Sequence, residues 1–193
     1  LEFRRVLFRS LGIAGARWWP TDVARVAQAV FLVPNHGLSP QCDDRFTEAE
    51  ACGHGLPSRV LLWGDSYAMH LAPALVASPT PLGFRQHTLS SCGPLLGLSV
   101  VNAQHSAHRA QRCVEHNAQV LDWLRHHPEV ELVVLASPFH YAGSQLWQDG
   151  QTWSVDVQRV RRGLLETVAN VRALGRQVVV VRSEEHTSEL QSR

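Results

Sequence analysis

The tripeptide Gly64-Asp65-Ser66 holds the residues of this sequence that are best suited to chemistry. It follows a short apolar run, residues 60–63, that is typical of a buried strand, and it precedes a stretch of helical composition. A serine at a strand-to-helix turn exposes its hydroxyl at the sheet edge. Its own backbone N–H lies at the positive end of the helix, where it can stabilise an oxyanion. The alternative is that Asp65 or Ser66 only caps the helix.

Strands and helices must alternate along the chain to position this turn. The strand pattern, a short continuous apolar run, occurs within residues 59–63, 131–136 and 177–181, and residues 83–89 form a weaker strand pattern. The helical pattern occurs at residues 68–76, 115–126 and 157–173. Because the strands are solid apolar runs, we predict a three-layer α/β/α sandwich with a mostly parallel sheet. Ligands in such folds lie beyond the carboxyl ends of the strands, which directs attention to residues 64–67, 90–95 and 137–141.

Four cysteines bear on the compartment: Cys42, Cys52, Cys92 and Cys113. None belongs to a Cys-x-x-Cys pair, so neither a structural zinc site nor any other metal site is expected. An even number in loop-like surroundings fits two disulfides and an oxidising compartment. We favour the pairs Cys42–Cys52 and Cys92–Cys113, because each brackets one loop region. The alternative is four free buried thiols, as in a cytosolic protein.

The length and the net charge limit the classes of protein to which this chain can belong. The 193 residues suffice for one globular domain, and the formal net charge of +1 argues against a nucleic-acid surface. No apolar run approaches the roughly 20 residues that span a bilayer. Residues 1–10 and 182–193 resemble translated sequencing adapter, so we expect them to be non-native. We expect an extension or linker at 11–57 and a domain, cut short at its C-terminus, at 58–181.

Several segments of the chain, in order, resemble the SGNH (GDSL-like) hydrolases. They are residues 62–75, Ser91-Cys92-Gly93-Pro94-Leu95, Cys113 and residues 133–136. More narrowly, residues 40–181 are similar to the SGNH domain at the C-terminus of acyltransferase-3 membrane proteins, which O-acylate bacterial surface glycans. The resemblance implies an SGNH/flavodoxin-like fold, a nucleophile at Ser66 supported by Asp65, and oxyanion donors at Ser66 and Gly93. Alternatively, Gly93 only makes a turn before the following proline.

The sequence departs from the family pattern at three places. Tyr67 stands where this subgroup more often has His. The Gly-x-Asn-Asp block of general SGNH hydrolases is replaced by residues 137–141, although the aromatic Phe139 is similar to the acyltransferase-linked subgroup. The Asp-x-x-His block that supplies the family's general base does not occur in the sequence. We expect that truncation removed it, which predicts that this chain is catalytically inert.

The resemblance also implies substrates and a location. It implies an acyl donor and a carbohydrate acceptor, no cofactor and no nucleic acid. It further implies a membrane-embedded acyltransferase-3 domain in the same full-length chain, at the extracytoplasmic (periplasmic) face of the bacterial inner membrane. A free-standing extracytoplasmic esterase and a non-catalytic glycan-binding domain of the same fold remain alternatives.

Histidine and tryptophan side chains offer further candidates. His70 lies one turn beyond Ser66, and His140 follows the third strong strand at the expected site edge. Two histidine pairs are interpreted as surface groups rather than metal ligands: His105 with His108, and His126 with His127. Trp147 and Trp153, in a predicted loop at 143–154, could stack on a sugar ring or pack beneath the loop.

Overall fold

The structure is a computed structural model that describes residues 34–43, 45–79, 83–139, 141 and 144–182. The strands are β1 (Gly53–His54), β2 (Val60–Gly64), β3 (Phe84–Thr88), β4 (Ser99–Val101), β5 (Leu132–Ala136), β6 (Gln145–Gln148), β7 (Gln151–Ser154) and β8 (Gln177–Val181). The helices are α1 (Ser66–Val76), α2 (Ala107–His126) and α3 (Val157–Ala173). None of the helices in these ranges is long and apolar enough to cross a membrane.

A five-stranded sheet in the order β1-β3-β2-β5-β8 forms the centre of the domain. Strand β2 pairs in parallel with β3 and β5, and β5 pairs in parallel with β8. Only the two-residue strand β1 runs antiparallel, against β3. Parallel neighbours end at the same edge, so the loops that follow β2, β3 and β5 meet there.

Side chains of β2 alternate between two cores. Leu61 and Trp63 lie in a cluster with residues of α2 and α3. Val60 and Leu62 lie in a cluster with residues of α1. Helix α1 therefore covers one face of the sheet, and α2 and α3 cover the other. The predicted three-layer α/β/α sandwich with a mostly parallel sheet is confirmed.

A second sheet has three antiparallel strands in the order β4-β6-β7, and its strands β6 and β7 lie in the predicted loop at 143–154. That prediction is wrong for β6 and β7. Asp149 and Gly150 join the two strands with φ of 50° and 79°, the backbone that a tight hairpin turn requires. Leu146 is fully buried against Leu98 and Val100, which gives this sheet a small core of its own.

The segment before β2 packs against the edge of the central sheet. The side chain of Gln86 on β3 accepts a hydrogen bond from the N–H of Leu38 and donates one to the carbonyl of His36. The disulfide Cys42–Cys52 closes this segment, and Cys92–Cys113 ties the loop after β3 to α2. Both are the pairs favoured from the sequence.

Candidate active site

The turn between β2 and α1 carries Ser66. A methyl group on Gly64 would overlap the carbonyl oxygen of Ala136 on β5, so only glycine fits there. Asp65 caps the helix, because its Oδ1 accepts a hydrogen bond of 2.9 Å from the N–H of Tyr67. Ser66 is the first helical residue, and its N–H has no acceptor among the described residues. That N–H can therefore serve a ligand.

Asp65 also joins this turn to the loop after β5. Its Oδ2 accepts a hydrogen bond of 2.7 Å from the hydroxyl of Ser137, the residue that directly follows β5. Burial raises the pKa of Asp65, and the hydrogen bonds from Ser137 and from the Tyr67 amide oppose this rise. The carboxyl group thus orients two neighbouring loops rather than facing solvent.

The loop after β3 is held from several sides. Asp43 accepts hydrogen bonds of 2.6 Å from the N–H and 2.9 Å from the hydroxyl of Ser90. Arg109 on α2 donates a hydrogen bond of 2.7 Å to the carbonyl of Ser90. The disulfide between Cys92 and Cys113 then fixes the loop to the same helix. Gly93 directly follows Cys92, so the contacts of Ser90 and the disulfide of Cys92 restrain the backbone just before Gly93.

Gly93 lies beside the Ser137 end of the Asp65 contact. A methyl group at Gly93 would lie 3.1 Å from the hydroxyl oxygen of Ser137 and would overlap the hydroxyl of Tyr141. A larger residue there would therefore have to displace the Tyr141 side chain. The N–H of Gly93 also lacks an acceptor within the described ranges. The Asp65–Ser137 contact thus holds the turn that carries Ser66, and the loop that carries Gly93 packs closely against Ser137.

Tyr141 completes this polar cluster. Its hydroxyl is buried and has no hydrogen-bond partner of good geometry in the described part of the chain. Burial raises the pKa of Tyr141 to about 12, with the Asp65 carboxylate acting in the same direction and Ser137 opposing it.

Ser91 and Phe139 have φ of 59° and 53°, which is rare for residues other than glycine. Such backbone conformations cluster at functional sites.

The other predicted side chains have different surroundings. Nδ1 of His70 contacts the carbonyl oxygen of Ser66, and this contact occupies one ring nitrogen. His140 lies outside the described residues. Trp147 on β6 is half-buried. Trp153 on β7 is 43% exposed, and the Arg159 guanidinium lies over its ring, 4.7 Å from the ring centre. Among the described residues, no group of three or more potential ligands could hold a metal ion.

Three further residues contact the site and are not indicated individually by the sequence patterns. Ser137 and Tyr141 are described above, and Asn117 on α2 donates a hydrogen bond of 2.9 Å from its side-chain amide to the carbonyl of Gly93. Residues 137–141 were flagged only as a segment at the expected edge of the sheet. For Asn117 a signal exists, since it lies four residues after Cys113 and three before Val120 on the buried face of α2. A polar residue on an apolar helix face must find a partner.

The chain matches one protein-family model, described as the SGNH domain (fused to AT3 domains), over residues 40–189. The matched range extends into the segment after 181 that is expected to be non-native, and that expectation stays a prediction. No curated protein and no solved structure matches the chain. With most of its length matched and its sheet carrying a Gly-Asp-Ser turn, the chain belongs to the family of SGNH domains that are fused to AT3 domains.

Proposed function

We propose that this chain is the acyl-transfer domain of an O-acyltransferase that forms an acyl-enzyme on Ser66 and passes the acyl group to a carbohydrate hydroxyl. The observation that carries the proposal is that the N–H groups of Ser66 and Gly93 both lack an acceptor among the described residues and that both residues follow strands, β2 and β3, that end at the same edge of the sheet. Two converging N–H donors are the usual means of stabilising the oxyanion of acyl transfer. Family membership supports an association with acyltransferases.

The reaction has two balanced halves. The hydroxyl oxygen of Ser66 attacks the carbonyl carbon of the acyl donor, and a general base takes the hydroxyl proton. The negative charge on the former carbonyl oxygen is held by the N–H groups of Ser66 and Gly93. The donor's leaving group then departs with that proton. In the second half a sugar hydroxyl attacks the carbonyl carbon of the acyl-serine, the base passes the sugar's hydroxyl proton to the serine oxygen, and the bond between that oxygen and the acyl carbon breaks.

We propose that the general base is an Asp-x-x-His block outside the present sequence. No Asp-x-x-His occurs in the 193 residues, and one ring nitrogen of His70 already contacts the Ser66 carbonyl. A serine hydroxyl without a base stays protonated at neutral pH and is a weak nucleophile. We therefore propose that the natural protein continues into a segment with that block and that the present chain is inactive.

The location and substrates follow from the same reasoning. Fusion to AT3 membrane domains supports membrane association. The two disulfides favour an oxidising compartment, which for such a protein is the periplasmic face of the inner membrane. A surface polysaccharide on that side of the membrane is the proposed acceptor, and the membrane domain is the proposed source of the acyl group.

Substitution of Ser66 tests the proposal. In the natural full-length protein, Ser66→Ala should reduce acyl transfer by a factor on the order of 10⁴ to 10⁶. The matched control is Ser106→Ala, which alters the serine that caps the start of α2. The readouts are transfer of labelled acetyl to polysaccharide, acyl-enzyme detection by mass spectrometry, and circular dichroism to verify the fold.

Three outcomes discriminate among the alternatives. Wild-type transfer by Ser66→Ala would refute the proposal. Hydrolysis of aryl acetate without transfer to any glycan would indicate an esterase, and glycan binding without either reaction would indicate a binding domain. Brisk Ser66-dependent hydrolysis of aryl acetate by the present chain would overturn its proposed inactivity.

A further inference from the structure

Asn117 is a fully buried amide near the middle of α2, and each of its polar groups is used. Its Oδ1 accepts a hydrogen bond of 2.8 Å from the indole N–H of Trp63. Its Nδ2 donates to the carbonyls of Gly93 and Leu95, at 2.9 and 3.0 Å. Because an indole N–H can only donate, the amide oxygen must face Trp63, and both amide hydrogens must face the loop.

These contacts act directly on the backbone around Gly93. The carbonyl oxygen of Gly93 also accepts a hydrogen bond of 2.8 Å from the N–H of Leu95, so both of its lone pairs are engaged. Glycine has no side chain to restrict its torsions, and Pro94 has no N–H to anchor the loop. The side chain of Asn117 supplies the restraint that these two residues lack.

The same amide also binds a side chain of β2, the strand that precedes the turn with Ser66. Trp63 is fully buried at the end of β2, three residues before Ser66. Asn117 therefore connects the backbone segment that presents the Ser66 N–H with the loop that presents the Gly93 N–H. We propose that Asn117 is a positioning residue that sets the distance between the two halves of the oxyanion site. This inference rests on the proposed function.

The test compares two replacements of similar shape in the natural full-length protein. Asn117→Leu removes every hydrogen bond of the amide, including a weak one of 3.7 Å from Nδ2 to Sγ of Cys113. The control is Thr167→Val. The Thr167 hydroxyl on α3 accepts a hydrogen bond of 3.1 Å from the N–H of Leu96, in the same loop beyond Gly93, and donates a buried one of 3.0 Å to the carbonyl of Gly163. Both variants remove buried hydrogen bonds, but only the first acts on Gly93.

We expect Asn117→Leu to lower kcat about 10- to 100-fold with little change in KM, since a misplaced oxyanion donor acts only in the transition state. The inhibition constant of phenylboronic acid, which forms a tetrahedral adduct with serine, should rise by a similar factor. Thr167→Val should keep kcat within about 2-fold of wild type even where its thermal midpoint falls.

If Asn117→Leu does not fold, Trp63→Phe decides the question. This variant keeps an aromatic ring in the core but leaves the amide oxygen unpaired, so kcat should fall at least about 3-fold with KM unchanged. A kcat equal to that of Thr167→Val, in whichever Asn117-linked variant folds, would overturn the role of Asn117. Ser66→Ala is run in parallel, because activity in that variant refutes the proposed function itself.

Discussion

Two histidines buried under Phe46 should make the domain sensitive to acid. His87 on β3 is 2% exposed and stacks on Phe46, and His116 on α2 is 3% exposed. Burial lowers the pKa of His116 from 6.5 to about 4, and the backbone of His87 offsets part of this effect. Burial, with the charges of His116, Arg85 and His127, holds the pKa of His87 well below its usual range. Both imidazoles are therefore neutral in the folded domain.

The magnitude follows from linkage between protonation and folding. Unfolded, His116 regains its ordinary pKa of 6.5, so between pH 6.5 and 4 the unfolded chain binds a proton that the folded chain does not. Stability is then lost as the pH falls. At about 1.36 kcal/mol per pKa unit the full loss is about 3 kcal/mol below pH 4, of which about 2 kcal/mol is reached at pH 5. His87 adds a loss of the same sign.

The assay is urea unfolding followed by tryptophan fluorescence at pH 7.5 and pH 5, with the disulfides intact. The raised pKa of Asp65 stabilises the folded state as the pH falls and so opposes the effect, but it does so equally in wild type and in the histidine variants. His116→Gln should lose about 2 kcal/mol less than wild type over this range. His126→Gln, at an exposed position of the same helix, should behave as wild type. An unchanged pH dependence in His116→Gln would refute the argument.

Three further predictions concern the site loops. Gly93→Ala should lower the free energy of unfolding, measured by urea titration, by about 1–3 kcal/mol. Tyr141→Phe removes the overlapping hydroxyl, so adding it to Gly93→Ala should recover part of that loss. Equal losses with Tyr141 and with Phe at position 141 would contradict the packing argument. Replacing Cys92 and Cys113 together by Ala should cost about 3 kcal/mol in thermal unfolding, since the bridge closes a separation of 21 residues; an unchanged midpoint would show that the bridge adds no stability. Gly64→Ala should lower the free energy of unfolding by about 4 kcal/mol or more, because its methyl group would meet the backbone of Ala136 rather than a flexible side chain. A normal circular dichroism spectrum and melting curve would contradict this prediction.

The layers of the fold were predictable because its central strand, β2, is buried on both sides. All five residues of β2 are buried, and a continuous apolar run is the sequence pattern of such a strand. Helix α2 begins at Ala107 rather than near 115, since its first turns are polar and only the Ser106 cap indicates the start. Strands β6 and β7 were missed although the Asp149-Gly150 turn predicts a hairpin. Strand β6 is held by pairing with the distant strand β4, and β7 by pairing with β6; no local pattern reveals the pairing with β4.

The candidate site was predictable only as far as strand order allows. Ser66 and Gly93 follow adjacent parallel strands, so their placement at one edge follows from the fold class. The hydrogen bond between Ser137 and Asp65 spans 72 residues of sequence, and the one between Trp63 and Asn117 spans 54. Contacts of that separation depend on the packed arrangement of layers, which a single sequence does not specify residue by residue. The roles of Ser66, Asp65 and Gly93 in catalysis stay predictions.

The central position of β2 has a consequence for hydrogen exchange. Its backbone pairs with β3 on one side and β5 on the other, so deuterium can reach its amides only when the whole sheet opens. Ser66 is separated from this strand by Asp65 alone. Partial opening of outer elements, such as β8 or the β6–β7 hairpin, therefore leaves the serine turn intact. On heating, the turn should disappear in the same cooperative transition as the β2 amide protection rather than before it.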